Sequence, residues 1–329
     1  NEKIFLGINK DMKKKIKVSF VGAGNMSSEH IKVLNRNKNF VLAGIYSRSQ
    51  KKIRPLKKKY GSLKIYSSIE DLYHKTKSDL VIISISEDQY KKIMKKIIEF
   101  PWVCLAEKPL GLNSREIRQI YELSRIKKRK IFISLNRRFY LSTTKLKKIV
   151  DNFSSKRKLK IIDCQNRQRF EEGAKKIGII KSAKSIKYLM YSNSVHLIDY
   201  ISLFCRGNLI KISSNNWRIS KPKDFTVKMK FSSGDEVVYV AYWTKFKKWE
   251  VQIRFDKYSL KLKPLEKLNI SNNFPEIKKI NYIKDKNFKP GLVNQSIEIK
   301  KFFQKKNNKL VSIENYMRTV NFIKKIYRV

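Results

Sequence analysis

The sequence predicts an α/β fold class: an N-terminal doubly wound parallel sheet, then an α+β domain built on a large, mostly antiparallel open sheet. Three observations carry this expectation. Up to residue 136, short continuous apolar runs alternate with lysine-rich helical segments, the pattern of strands covered on both faces by crossover helices. The first run, Ile16 to Val21, passes straight into Gly22-Ala23-Gly24 and a helical segment. From Lys158 the pattern switches to alternating apolar and polar residues broken by turn residues. The expected domains are 12–136 and 137–329, with the final helix able to pack back on the first, and residues 1–11 read as an extension with no role in the fold.

A chain of 329 residues with 41% hydrophobic content can bury two globular cores. No apolar run reaches eighteen residues and no apolar signal region follows a basic start, so no membrane partner is expected and the localisation reads as cytoplasmic. Cys104, Cys164 and Cys205 lie far apart and form no C-x-x-C pair; they read as buried thiols, with no disulfide framework and no metal site. Lys plus Arg total 76 against 27 Asp plus Glu, a net charge of +49, which raises nucleic acid as a partner. The lysines are spread over every expected helix and strand, with no basic tail or RNA-binding signature. A solvated surface is therefore the preferred reading, and no nucleic-acid partner is expected. The charge concentrates anionic small molecules, phosphorylated cofactors and sugar nucleotides among them.

The opening strand, glycine turn and helix together make a dinucleotide pyrophosphate site. Gly22 allows the tight turn, Gly24 lets the backbone approach, and the free N–H groups of the following helix, from Asn25 and Met26 onward, meet the phosphates. Ser27 stands where a third small residue is expected, and Ser27 or Ser28 is the expected helix cap. The bare pattern is common; its place after a clean first strand is what makes it informative.

Phe40 to Tyr46 reads as the second strand and ends at Ser47-Arg48-Ser49, where an NAD-preferring site would carry an Asp or Glu for the ribose hydroxyls. No acid stands there. Hydroxyls and a cation suit a 2′-phosphate, so NADP(H) is favoured, with NAD(H) as the alternative if the loop is merely solvated. Leu63 to Tyr66 is a short third strand, and Ser68 caps a helix opened by Glu70 and Asp71. Leu80 to Ile85 is the fourth strand, and its Ser84 joins the cofactor-binding set. After a helix from Tyr90 to Glu99, the strand Trp102 to Ala106 delivers Glu107-Lys108-Pro109 at its C-terminal end, where open parallel sheets bind ligands. Asn113 or Ser114 caps a helix to Lys127, and the strand Lys130 to Leu135 ends in Asn136-Arg137-Arg138-Phe139.

These residues resemble the Gfo/Idh/MocA oxidoreductases. The resemblance rests on the glycine fingerprint, Glu107-Lys108-Pro109, Asn136-Arg137-Arg138-Phe139, His196-Leu197-Ile198-Asp199 and the closing segment Val311 to Val320, in that order over nearly the whole chain. It implies that Lys108 lies beside the nicotinamide and the reacting carbon, that its bond to Pro109 is cis as in relatives, and that Glu107 is positional. Independently, an ammonium in a partly desolvated cleft polarises a carbonyl or hydrogen-bonds a hydroxyl. The resemblance makes His196 the acid or base that exchanges a proton with the substrate hydroxyl, work that suits an imidazole near neutral pH. It also implies NAD(P)-dependent hydride transfer at a sugar or nucleotide-sugar hydroxyl carbon, and a homo-oligomer formed through the free face of the second sheet.

The chain departs from the family pattern at one place. The family commonly has an aspartate three or four residues before this histidine, and Ser192 and Asn193 stand there instead. Two readings stay open: Lys108 and His196 suffice with Asn193 as a positioning group, or the protein is a catalytically weak NADP(H)-binding regulatory or partner subunit. The first is preferred. Asn136, Arg137, Arg169 and Asp199 are the candidate substrate contacts, with Arg167 and Lys187 weaker ones. Phe225 to Phe231 and Glu236 to Trp243 are strands joined by the turn Ser232-Ser233-Gly234-Asp235, and Trp249 to Phe255 and Tyr258 to Leu262 follow. Residues 194–206 read as a helix backing this sheet, and Phe170 to Leu189 as a long polar loop, a binding lid or disordered. Tyr239, Trp243 and Trp249 read as core or as oligomer contacts.

Overall fold

The computed structural model describes residues 14–176, 183–214, 217–271, 274 and 286–329. The described chain falls into two compact units. Residues up to Gly111, Arg115–Phe139 and those from 286 to Tyr316 form the first; Leu112–Ser114, the described residues from Tyr140 to 274, and Met317–Val329 form the second.

The N-terminal elements alternate as the apolar runs require: β1 (Ile16–Val21), α1 (Asn25–Asn35), β2 (Phe40–Tyr46), α2 (Gln50–Lys59), β3 (Lys64–Ile65), α3 (Ile69–Thr76), β4 (Leu80–Ile83), α4 (Tyr90–Ile97), β5 (Val103–Glu107), α5 (Ser114–Ile126) and β6 (Ile131–Ser134). Their strands lie in the order β6-β5-β4-β1-β2-β3, all parallel. Val18, Phe20, Ile82 and Leu105 of the strands pack in one core with Ile31 and Leu34 of α1, each fully or nearly fully buried. Burying side chains of this size contributes roughly 1.5–3 kcal/mol apiece, so a sheet covered on both faces needs the unbroken apolar runs seen in the sequence. Ser68 caps α3 as expected, its Oγ accepting from the Asp71 amide at 2.9 Å.

The second sheet draws on β7 (Lys158–Cys164), which follows α6 (Leu141–Val150). Three helices then intervene, α7 (Arg167–Lys176), α8 (Ala183–Lys187) and α9 (Val195–Phe204), before β8 (Leu209–Ser214), β9 (Phe225–Phe231), β10 (Glu236–Tyr242), β11 (Glu250–Phe255), β12 (Tyr258–Leu262) and β13 (Leu268–Ile270). The strand order is β13-β12-β11-β7-β10-β9-β8, antiparallel except where β10 runs parallel to β7. The stretch from Phe170 to Leu189 is not the loop expected: α7 and α8 occupy most of its described part, and residues 177–182 lie outside the described residues. α7 escapes a periodicity reading because Phe170 is its one large apolar residue.

The chain closes with α10 (Leu292–Phe303), β14 (Val311–Ser312) and α11 (Ile313–Tyr327). β14 adds an antiparallel edge to the first sheet, Val311 opposite Ile133. The C-terminal stretch through Tyr316 thus returns to the first unit, while the rest of α11 belongs to the second. There Tyr327 sits among Trp217, Phe225 and Trp243, with ring centroids 4.9, 5.2 and 5.9 Å away. Tyr239 and Trp243 are therefore core residues of the second unit, and Trp249 is half-buried with its indole N–H donating to the Cys164 carbonyl at 3.2 Å. Cys104 and Cys205 are buried as expected; Cys164 is only half-buried. Among the described residues no helix is long and apolar enough to cross a membrane.

Candidate functional site

Strand order in the first sheet reverses between β1 and β4, and ligands of open parallel sheets lie in the crevice at such a point. Gly22 follows β1 there, with Ser84 directly after β4. Gly22 has φ +102°, and a Cβ on it would stand 2.0 Å from the Ser84 carbonyl oxygen, so no other residue fits the turn. At Gly24 the situation is opposite: a Cβ would meet nothing within 4 Å. The backbone there faces open space.

α1 begins at Asn25 with Gly24 as its N-cap, no side chain capping it and no acidic residue in its first turn. The expected serine cap is thus corrected. Ser27 is buried and its Oγ donates to the Gly22 carbonyl at 2.7 Å, so the small residue locks the turn and leaves the helix N–H groups, including those of Asn25 and Met26, for an anion. A dinucleotide pyrophosphate fits this arrangement: an open approach, an uncapped positive helix end and no competing carboxylate.

At the end of β2, Ser47 and Ser49 are half-buried, the Ser49 amide donating to Ser47 Oγ at 3.3 Å, and Arg48 is exposed. The charge of Arg48 reaches Asp88, in the loop after β4. Burial raises the Asp88 carboxyl, but hydrogen bonds from Gln89 and Ser86 and the Arg48 charge bring it below the ordinary aspartate value.

Lys108 is half-buried at the end of β5, and its peptide bond to Pro109 is cis. The preceding Glu107 is buried, and His30 Nε2 of α1 donates to its Oε1 at 2.8 Å. After β6 a short 3-10 turn holds buried Asn136 and half-buried Arg137, and Asn136 Nδ2 donates to the Pro290 carbonyl at 3.0 Å.

In the second unit a π-helical turn, Met190–Ser194, feeds directly into α9. His196 is the second residue of α9 and is 5% exposed. Ser192 is buried and Asn193 half-buried, with Asn193 Nδ2 donating to Gln165 Oε1 at 3.1 Å. Wide turns of this kind re-aim side chains by one position and recur at functional sites.

The fingerprint seen in this geometry has a counterpart in known proteins. Residues 16–135 match the family model GFO_IDH_MocA, described as an oxidoreductase family with an NAD-binding Rossmann fold. Over that stretch the chain is similar to the Gfo/Idh/MocA oxidoreductases. The myo-inositol 2-dehydrogenase of Thermotoga maritima is 24% identical over 137 residues, 42% of this chain and 41% of that protein. An uncharacterized oxidoreductase of Schizosaccharomyces pombe is 25% identical over 147 residues, 44% of this chain and 39% of that protein. The chain thus spans about two fifths of the length of the curated relatives it matches. The fold extends further. A WlbA dehydrogenase from Bordetella pertussis, solved in complex with NADH and UDP-GlcNAcA, superposes with a TM-score of 0.78 at 11% identity over 96% of both chains. An oxidoreductase from Thermotoga maritima superposes at 0.76 with 18% identity, again over 96% of both.

The remaining candidates stand in varied settings. Asp199 is buried on α9, and Thr319 Oγ1 donates to its Oδ1 at 2.9 Å. Arg169 lies on α7, and its side chain is outside the described residues, as is that of Arg167. Two residues that sequence reasoning passed over stand beside the family motifs: His30, bonded to Glu107, and Gln165, bonded to Asn193. Their partners lie 77 and 28 residues away, a separation that local pattern does not reach.

Proposed function

We propose that the protein is an NAD(P)-dependent oxidoreductase that moves a hydride between nicotinamide and the hydroxyl-bearing carbon of a sugar or nucleotide sugar. The observation that carries this reading is the glycine turn, in which Gly24 faces open space in front of an uncapped helix at a strand-order reversal. Bound nicotinamide supplies the hydride donor or acceptor. The chain supplies everything else. The first N–H groups of α1 hold the pyrophosphate, and the Ser84 backbone keeps Gly22 in its turn. The Lys108 ammonium polarises the reacting oxygen, with Glu107 fixing the strand end that carries it. His196 takes or returns the hydroxyl proton, and Asn193 positions it. Asn136, Arg137, Arg169 and Asp199 are the candidates for holding the substrate.

Ser47, Arg48 and Ser49, with no acid at the end of β2, favour NADP(H). NAD(H) is the second reading, supported by Asp88, whose carboxyl feels the Arg48 charge, and by the NADH in the Bordetella pertussis complex. We further propose a homo-oligomer formed through the open face of the second sheet. Ile162 pairs with Val240 there beside Val238, all half-buried, and Lys230–Glu236 (3.5 Å) and Lys263–Glu250 (2.7 Å) ion pairs neutralise part of the surrounding charge.

The test is turnover of UDP-GlcNAcA and myo-inositol with each dinucleotide, in the native protein and in Lys108→Ala. Turnover lost in the variant supports the reading. Dinucleotide binding with no turnover that depends on Lys108 favours the regulatory or partner subunit instead.

A further inference from the structure

Six residues of the second unit form one hydrogen-bonded network around a buried carboxylate. Asp163, on β7, is 0% exposed. Its Oδ1 accepts from Gln165 Nε2, and Gln165 Oε1 accepts from Asn193 Nδ2 at 3.1 Å. Its Oδ2 accepts from the Tyr239 hydroxyl, which lies 2.8 Å from the Tyr327 hydroxyl, and this in turn is 3.3 Å from Ser194 Oγ. The two oxygens of one carboxylate thus reach two consecutive residues, Asn193 and Ser194, in the turn that precedes His196.

The polarity of this network follows from the carboxylate. An ionised carboxylate only accepts, so Gln165 must present its NH2 group to Asp163 and its carbonyl oxygen to Asn193. Asn193 must then present its own NH2 group to Gln165. Its Oδ1 is therefore turned the other way, and among the described residues no hydrogen bond reaches it. On the other arm the Tyr239 proton goes to Asp163; burial and then the Asp163 charge raise the Tyr239 hydroxyl well above its ordinary value, so it stays a donor. Tyr327 must then donate to Tyr239, and Ser194 to Tyr327.

We propose that Asp163 and Gln165 are positioning residues that fix the Asn193 amide with its carbonyl oxygen outward, making an acceptor one turn before His196 where the chain has no carboxylate. The proposal rests on the oxidoreductase reading for its consequence, since the acceptor orients the substrate hydroxyl or the imidazole during proton exchange. The network has one other polarity that keeps every bond, reached by exchanging the amide and the carboxylate through Asp163→Asn together with Asn193→Asp. The amide placed on β7 then donates to Gln165 Oε1 and still accepts from Tyr239, while Gln165 Nε2 donates to the carboxylate placed in the π-helical turn.

That alternative defines the experiment. Asp163→Asn, Asn193→Asp and the double variant are compared by thermal unfolding, by NADPH and NADH binding, and by kcat and KM on UDP-GlcNAcA and myo-inositol. Asn193→Asp alone sets two acceptors, Gln165 Oε1 and the new carboxylate, against each other. It is expected to lower the unfolding midpoint and to lower kcat by about tenfold, the worth of one hydrogen bond to a charged group. The double variant is expected to recover the midpoint and to bring kcat within about threefold of the native protein, a smaller loss than that of one such bond. Dinucleotide affinity stays constant throughout. Additive losses in the double variant, in midpoint and in kcat, would overturn the proposal, and so would single variants with unchanged kcat in a protein that turns over. If the native protein turns over neither compound, the oxidoreductase reading fails on these substrates; the unfolding midpoints alone still decide whether the polarity of the network is coupled.

Discussion

His30 Nε2 donates to Glu107 Oε1 at 2.8 Å in the interior of the first unit, joining the helix that begins at the glycine turn to the residue before Lys108. Both side chains are less than 10% exposed, so neither finds water if its partner is removed. Glu107→Ala leaves a buried ring N–H without its acceptor and is expected to cost about 1–3 kcal/mol in denaturant unfolding and to weaken dinucleotide binding. Glu107→Gln keeps an oxygen that accepts from His30 and is expected to retain most of both. Equal stability of the alanine variant and the native protein would contradict the pair's role.

The two glycines of the turn are expected to fail in different ways. Gly22→Ala forces a side chain into φ +102° and against the Ser84 carbonyl, and is expected to destabilise the protein by at least about 2 kcal/mol. Gly24→Ala adds a methyl group in open space, so the unfolding midpoint is expected to stay within about 1 °C while calorimetric dinucleotide binding is lost. A Gly24→Ala protein that binds as tightly as the native one would place the ligand elsewhere.

Asp235 carries an acid-dependent part of the second unit's stability. Its carboxylate is 0% exposed and accepts from Arg206 Nη2 at 2.7 Å and from the backbone amides of Arg157 and Arg206 at 2.9 Å each. Burial raises the carboxyl, and the Arg206 and amide hydrogen bonds outweigh it, so it lies below the ordinary aspartate value. Because the folded value is the lower one, its stabilisation is full above the unfolded value and is lost as pH falls through the folded one. Asp235→Asn is expected to be less stable by about 1.5–3 kcal/mol at pH 7, the worth of a hydrogen bond to a charged group, the gap closing as pH falls below the ordinary aspartate value of about 4. Urea unfolding across that range measures it; a pH-independent gap would contradict the assignment.

The cysteines separate by burial. Burial pushes the thiols of Cys104 and Cys205 up to about 12, whereas Cys164 is half-buried, its Sγ 3.4 Å from the Lys245 carbonyl and the Lys247 amide. Iodoacetamide is expected to label Cys164 first in the folded protein, read by peptide mass spectrometry. Labelling of Cys104 at the same rate would show that the first sheet opens.

The first unit was legible because its strands are continuous apolar runs: Ile16–Val21 and Phe40–Tyr46 form where the residues indicate, since burial on both faces leaves no polar residue to blur them. The helix start at Gly24 was not, because Ser27 has the chemistry of a cap and uses it instead to close the turn. α7 lacked the apolar stripe that announces a helix. In the candidate site, Lys108 and His196 sit in recognisable local motifs, but what holds their neighbours does not. Glu107 depends on His30, and Asn193 on Gln165 and Asp163, through contacts that only the folded topology creates.

The glycine turn is expected to bind a dinucleotide whose ribose end meets Ser47 and Arg48. Isothermal titration of NADPH and NADH separately into the native protein and into Arg48→Ala tests it most directly. The native protein is expected to bind dinucleotide, with NADPH the tighter and weakened by about tenfold in the variant through loss of a charge-assisted hydrogen bond while NADH is unchanged. No binding of either dinucleotide to the native protein would contradict it and return attention to the +49 charge.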